Sequence, residues 1–197
     1  MILCLTCASL VLPSGVQSQT FQNIQQAASQ SGPRIVIVKS AQTLELHDAG
    51  GKIRKFRVCL GINPVGPKKI TGDQKTPEGD YFICSKSTES NFYRFLGISY
   101  PGIADAQTAF EEGLISLNDR DSIINSAKSG KAPPWHTKLG GWVGIHGYPT
   151  DWFKRVWVIL HYPKPHNWTD GCIAMWNFEV EELFGMVGIG TPVRILP

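Results

Sequence analysis

Residues 34–60 read RIVIVKSAQTLELHDAGGKIRKFRVCL, and this stretch decides the fold class. Its first run, Ile35-Val36-Ile37-Val38, is β-branched throughout, which favours a buried strand. Thr43 to His47 alternates apolar with polar residues, the period of a half-buried strand. Ala49-Gly50-Gly51 supplies a turn. Lys52 to Leu60 alternates again, with Ile53, Phe56 and Val58 as core contacts. Together these runs predict a β-hairpin or meander.

Downstream, Gly61 to Gly79 carries three Pro and four Gly and reads as a long loop. Asp80 to Cys84 and Phe92 to Tyr100 return to strand. Two short helices are expected over Ile103 to Asn118 and Asp121 to Lys128, ended by Gly130 to Pro134. Trp142 to His146 is a short apolar strand that ends in His-Gly. Periodicity does not decide between helix and strand for Phe153 to His161. Phe178 to Val187 reads as a helix, with Asn177 as its N-cap and Glu179, Glu181 and Glu182 in its first turns. Val193 to Leu196 closes the chain as a strand. The fold class is therefore α+β, mainly β with a few helices.

Upstream, the first 33 residues contain no Lys, Arg, Asp or Glu. Met1 to Leu12 is apolar, Pro13 and Gly15 break the run, and Val16-Gln17-Ser18 offers small residues for cleavage. Residues 1–18 read as a secretory signal peptide and 19–33 as a spacer, leaving 34–197 as the folded domain. No later segment has the roughly 18 uninterrupted apolar residues of a membrane helix, so no stable membrane insertion is expected once the leader is gone. The net charge of +3 gives no basic stripe of the kind nucleic acid binding needs. Removing the leader leaves Cys59, Cys84 and Cys172. An odd cysteine in an oxidising compartment is a candidate reactive thiol. Either Cys59 and Cys84 pair and leave Cys172, or all three are reduced.

Cys172 lies in Trp168-Thr169-Asp170-Gly171-Cys172-Ile173-Ala174-Met175. Gly171 permits a tight turn and leaves the amides near the sulfur accessible, where they would stabilise an oxyanion. A thiol needs a base or a positive neighbour to become a nucleophile. His146, in Val143-Gly144-Ile145-His146-Gly147-Tyr148, sits at the end of an apolar strand, and an imidazole suits proton transfer near neutral pH. Alone, each reads as an ordinary packed residue; the pair together reads as a nucleophile and its base. Metal binding by His136, His146, His161, His166 and Cys172 is the competing use, but no HExxH or CxxC spacing occurs, and no metal or cofactor is expected.

At these residues the sequence resembles the L,D-transpeptidase catalytic domain, the YkuD-type family. Ile145-His146-Gly147 and Thr169-Asp170-Gly171-Cys172-Ile173 carry the resemblance. It extends through Lys39 to Leu44, Leu60 to Gly66, Thr76 to Gly79, Leu96-Gly97-Ile98-Ser99-Tyr100-Pro101 and Gly190 to Val193. It implies a β-sandwich or barrel-like domain in which Cys172 forms a thioester with a peptidoglycan stem peptide, His146 is the base and the Gly147 carbonyl is the third element. It also implies substrate contacts at Thr169, Gly171, Tyr148, Ser99 and Tyr100, and a place in the periplasm or cell envelope. Two positions depart from the common pattern. Asp170 stands where many members have His, and Ala174 where many have Arg. Asp170 would then orient His146 as a triad acid does, and Arg94 or Arg155 would take over from the missing guanidinium. This form resembles a subgroup with the TDGC-Ile-Ala motif, whose members do not all make the usual cross-link. Transfer to an amine, hydrolysis as an L,D-carboxypeptidase or amidase, and a wall-binding domain with an inert thiol all stay open at this point. Papain-like order places Cys before His, the reverse of this chain, and Cys172 has no sortase-like TLxTC context.

Overall fold

The computed structural model describes residues 32–161 and 167–197. The leader and the spacer as far as residue 31, together with His166, lie outside the described residues. Among the described residues are eight strands and four helices. The strands are β1 Arg34–Val38, β2 Thr43–His47, β3 Ile53–Arg57, β4 Gly79–Ser90, β5 Tyr93–Ile98, β6 Gly144–His146, β7 Ile173–Ala174 and β8 Pro192–Leu196. The helices are α1 Ile103–Glu111, α2 Leu117–Lys128, α3 Trp152–His161 and α4 Asn177–Met186.

The meander forms as expected, except that Ile53 is exposed and not a core contact. β1 pairs antiparallel with β2, and β2 with β3, so that Ile35, Ile37, Leu44, Leu46 and Phe56 all reach the core. The sheet continues in the order β3-β2-β1-β8-β4-β5-β6-β7. Two of its pairings, β1 with β8 and β6 with β7, are parallel. The sheet curls until its ends meet. The chain leaving β3 forms a bridge from Cys59 to Ala174 on β7 and another from Gly61 to Thr169. That contact joins both ends of the strand order and gives the domain its barrel-like form, removing an open edge beside β7.

The expected loop over Gly61 to Gly79 has no regular element before β4, and it is held by buried charge. Lys39 is 4% exposed, and its ammonium donates to the carbonyls of Gly66 and Thr76 and to the Glu78 carboxylate at 2.7–2.9 Å. Lys68 donates to Asp73 at 2.8 Å, while Asp73 accepts from the backbone N–H groups of Lys69, Ile70 and Lys75. A buried cation with several acceptors fixes backbone that regular hydrogen bonding does not.

Three further sequence expectations change. The segment left undecided is a helix, α3. The boundary between α1 and α2 falls at Ser116, whose hydroxyl accepts from the Asp119 N–H, so Leu117 and Asn118 belong to α2. Asn177 is the first residue of α4, not its N-cap. Its amide oxygen is taken by the Tyr148 N–H at 2.7 Å, so it serves the loop after β6 instead of the helix end.

Candidate active site

β6 and β7 run side by side, and the site stands on one face of that pair. Ile145 is in register with Ile173, and His146 with Ala174. Residues in register on neighbouring strands share a face, and that face recurs every second residue. Gly144 and Cys172 therefore form one rung, His146 and Ala174 the next, Tyr148 and Trp176 the third. The third rung shows directly as a stack, with the Tyr148 and Trp176 rings 4.7 Å apart. Cys172 and His146 lie diagonally across the first two rungs. The other two corners, Gly144 and Ala174, are small. A Cβ on Gly144 would come within 2.6 Å of the Phe95 ring, which fills the space above it.

His146 is 3% exposed. Its Nδ1 lies 2.7 Å from the Gly147 carbonyl oxygen. A carbonyl only accepts, so Nδ1 carries the hydrogen and the Nε2 lone pair is the basic position. Burial pushes the imidazole down to about 4, against the opposing pull of the Gly147 carbonyl. Phe92 and Trp168 cover the ring at centroid distances of 4.7 and 5.8 Å, which accounts for the dry surroundings.

Cys172 donates its thiol to the Trp142 carbonyl at 3.5 Å. Burial pushes the thiol up to about 11; the Asp170 charge adds to the rise, while a backbone hydrogen bond from Gly144 and the charge of Lys68 oppose it. The resting pair is thus neutral thiol with neutral imidazole, not thiolate with imidazolium. Cys59, Cys84 and Cys172 are not joined to one another. The Cys59 sulfur faces the Tyr148 hydroxyl at 3.9 Å, and burial raises the Cys84 thiol to about 11.

The turn before Cys172 is set by Thr169 and Gly171. The Thr169 hydroxyl donates to the Cys172 carbonyl at 2.6 Å and accepts from the Gly171 N–H at 3.3 Å. Gly171 has φ +131, and a Cβ there would meet the Lys75 carbonyl oxygen at 2.6 Å. The 61–79 loop thus packs directly against the turn before Cys172.

Other expected site residues lie elsewhere. Asp170 is exposed and accepts from the Gln74 amide at 3.3 Å; among the described residues it makes no hydrogen bond to His146. It reaches Cys172 only through its charge. Arg94 is held by both carboxylate oxygens of Glu181 at 2.7 and 3.1 Å, on the strand face opposite Phe95 and His146. Arg155 donates to the carbonyls of Pro149 and Thr150. Neither guanidinium takes the place of an arginine at position 174. Ser99 and Tyr100 are core groups: the Ser99 hydroxyl accepts from the Phe82 N–H, and the Tyr100 hydroxyl donates to the Lys68 and Leu139 carbonyls. Tyr148 is buried in the third rung.

The structure adds residues that the sequence reading passed over. A cleft of about 340 Å³ opens beside the pair, lined by Ser87, Glu89, Ser90, Asn91, Phe92, Phe95 and Trp142. Trp142 has φ +56, a rare conformation for a bulky residue, and its ring meets that of Trp135 tilted, with centroids 4.1 Å apart. Asn177 holds the Gly147–Tyr148 backbone, and a Cβ on Gly147 would meet its oxygen at 2.5 Å. The clustering of Trp168 and Trp176 around the Cys172 motif was the available signal for the aromatic surround.

Comparison with known proteins identifies the family. YafK of Escherichia coli K12, named provisionally as an L,D-transpeptidase, is 26% identical over 117 residues, or 56% of this chain and 48% of its own length. The chain thus spans about half the length of the curated relatives it matches. The K307A mutant of Pgp2, the helical cell shape determining protein of Campylobacter jejuni, has the same fold, with a TM-score of 0.51 and 20% identity over 93% of this chain and 56% of that one. An L,D-transpeptidase of Mycobacterium smegmatis is matched at TM-score 0.47 and 14% identity, over 84% of this chain and 59% of that one. The L,D-transpeptidase catalytic domain (YkuD) matches residues 32–195, and the chain belongs to that family.

Proposed function

We propose that this domain is a cysteine acyltransferase of the cell envelope that acts on peptidoglycan stem peptides. The observation that carries the reading is the diagonal of Cys172 and His146 on one sheet face, with Nδ1 of the imidazole committed to the Gly147 carbonyl. That commitment leaves Nε2 as the proton acceptor. As the sulfur attacks the carbonyl carbon of the donor peptide, Nε2 takes the thiol proton. The amides of the Gly171–Cys172 turn stabilise the oxyanion. Collapse breaks the peptide C–N bond, and the imidazolium returns its proton to the leaving amine. The product is a thioester on Cys172 and a free amine.

An incoming amine, deprotonated by His146 as it attacks, then displaces the sulfur and gives a new amide. Water in the same position gives a carboxylate. Burial of the imidazole keeps it neutral and ready at neutral pH, and the high thiol value means that the proton moves during attack, not before it. Residues 1–18, as a leader, would deliver the domain to the periplasm or envelope where the substrate is.

The test is intact-mass measurement and product analysis with purified muropeptides. Wild type is expected to accumulate an acyl adduct that maps to Cys172 and to release product; Cys172→Ala is expected to do neither while keeping its fold. Turnover by Cys172→Ala at the wild-type rate refutes the assignment. Cross-linked dimers in the digest identify an amine acceptor, and trimmed monomers identify water.

A further inference from the structure

Helix α3 is oriented the wrong way round for a core helix. Trp152, Phe153, Trp157 and Leu160 are 66, 82, 52 and 71% exposed, and Val158 is its one buried residue. At about 100° per residue, Trp152, Val156, Leu160, Phe153 and Trp157 fall within an arc of about 140°. The apolar face therefore points outward. The helix start is tied to the domain through Thr150, whose N–H and hydroxyl both donate to the Asn91 carbonyl. Arg155 is pinned to the Pro149 and Thr150 carbonyls, and the Asp151 carboxylate accepts from the Lys154 N–H at the helix start.

We infer that this face is a docking element for an anionic phospholipid bilayer, lying in the headgroup region with its aromatic side chains in the acyl boundary. Trp, Phe and Leu on one face with basic residues beside them are the composition of an interfacial helix. Helix α3 itself carries Lys154 and Arg155 and no Asp or Glu. That charge complements anionic headgroups. A two-fold contact with a second copy through α3 would instead bring Lys154 and Arg155 of both helices to the rim of one interface.

The inner edge of the same helix borders an apolar groove of about 450 Å³, lined by Phe92, Pro149, Phe153, Trp157 and Trp168 among others. Phe92 and Trp168 also cover the His146 ring. The lipid-facing surface and the Cys172–His146 face are thus continuous, so docking presents the site to peptides close to the membrane. The docking itself does not depend on the acyl-transfer reading.

The experiment is vesicle co-sedimentation of the full chain. Phosphatidylglycerol–phosphatidylethanolamine vesicles are expected to bind at least tenfold more tightly than phosphatidylcholine vesicles. Trp152→Ser/Phe153→Ser/Leu160→Ser is expected to lose at least tenfold of that binding while keeping the wild-type circular dichroism. Residues 1–12 are apolar and able to bind vesicles themselves, so the contact is localised with brominated lipid. Trp152→Phe/Trp157→Phe, which preserves the apolar face, is expected to bind as wild type and to lose most of the quenchable fluorescence. Equal sedimentation of the triple variant, or quenching that survives the Phe substitutions, overturns the inference. So does a dimer that the triple variant converts to monomer, which would assign the face to a second copy. Cys172→Ala is expected to bind as wild type, so a failed reaction and a failed docking are separately visible.

Discussion

The burial of His146 makes a stability prediction that needs no substrate. In the unfolded chain its imidazole has the ordinary value of 6.5; in the folded domain burial pushes it down to about 4, opposed by the Gly147 carbonyl. Between those values the unfolded chain binds the proton and the folded domain does not. Stability is therefore full above pH 6.5, falls as the pH drops below it, and has lost the whole contribution below pH 4. At about 1.4 kcal/mol per pH unit the full loss is about 3 kcal/mol, of which about 2 kcal/mol is gone by pH 5. The assay is urea unfolding of wild type and His146→Gln at pH 7.5 and 5.0. Gln cannot titrate, so its own cost appears equally at both pH values, and other titrating groups cancel in the difference. Wild type is expected to lose about 2 kcal/mol more than the variant between the two conditions. Equal losses would mean that the imidazole is wet or partnered in the folded protein, and the description of the aromatic cover by Phe92 and Trp168 would be refuted.

Three further outcomes follow from named contacts. Iodoacetamide is expected to alkylate Cys172 slowly at pH 8, with the rate rising toward pH 11; Asp170→Asn removes a charge that raises the thiol, so its profile moves to lower pH, and an upward move would refute the placement of Asp170. Gly171→Ala must hold φ +131 with a methyl group 2.6 Å from the Lys75 oxygen, so a loss of at least about 2 kcal/mol in thermal or chemical unfolding is expected, with loss of muropeptide turnover. Asn177→Ala leaves the Tyr148 N–H without its acceptor; about 1–3 kcal/mol of stability and much of kcat should go, and Asn177→Asp, which keeps an acceptor oxygen, should recover part of both.

The strands were legible because their signal is local. Ile35-Val36-Ile37-Val38 and the alternation around Phe56 fix strand type and core face from neighbours alone. α3 was not legible, since a run of Trp, Phe, Val, Ile and Leu serves either period, and here its apolar face is outside. Asn177 was misread for a related reason. Asn before an acidic first turn is a local N-cap signature, but the oxygen was claimed by Tyr148, 29 residues away. The roles of Arg94 and Arg155 depended in the same way on partners the sequence does not identify: Glu181 and a pair of carbonyls.

Ala174 is the departure that does most to shape the site. It faces His146 across the second rung with no exposed surface, between the Cys172 rung and the Tyr148–Trp176 stack. A guanidinium at that position would have to displace the stacked rings or lie over the imidazole, adding a positive charge beside a ring that burial keeps neutral. With Ala174 the neighbouring ground belongs to Tyr148, Trp168 and Trp176. The imidazole of His146 and the thiol of Cys172 both rest neutral here, and Ala174 offers no guanidinium to a carboxylate. The charged side chain lining that cleft is Glu89, a carboxylate itself, which favours an amine over a second carboxylate on that side. Ala174 therefore leaves that side of the cleft without a guanidinium, while the register of Cys172 and His146 is set by the backbone pairing of β6 with β7.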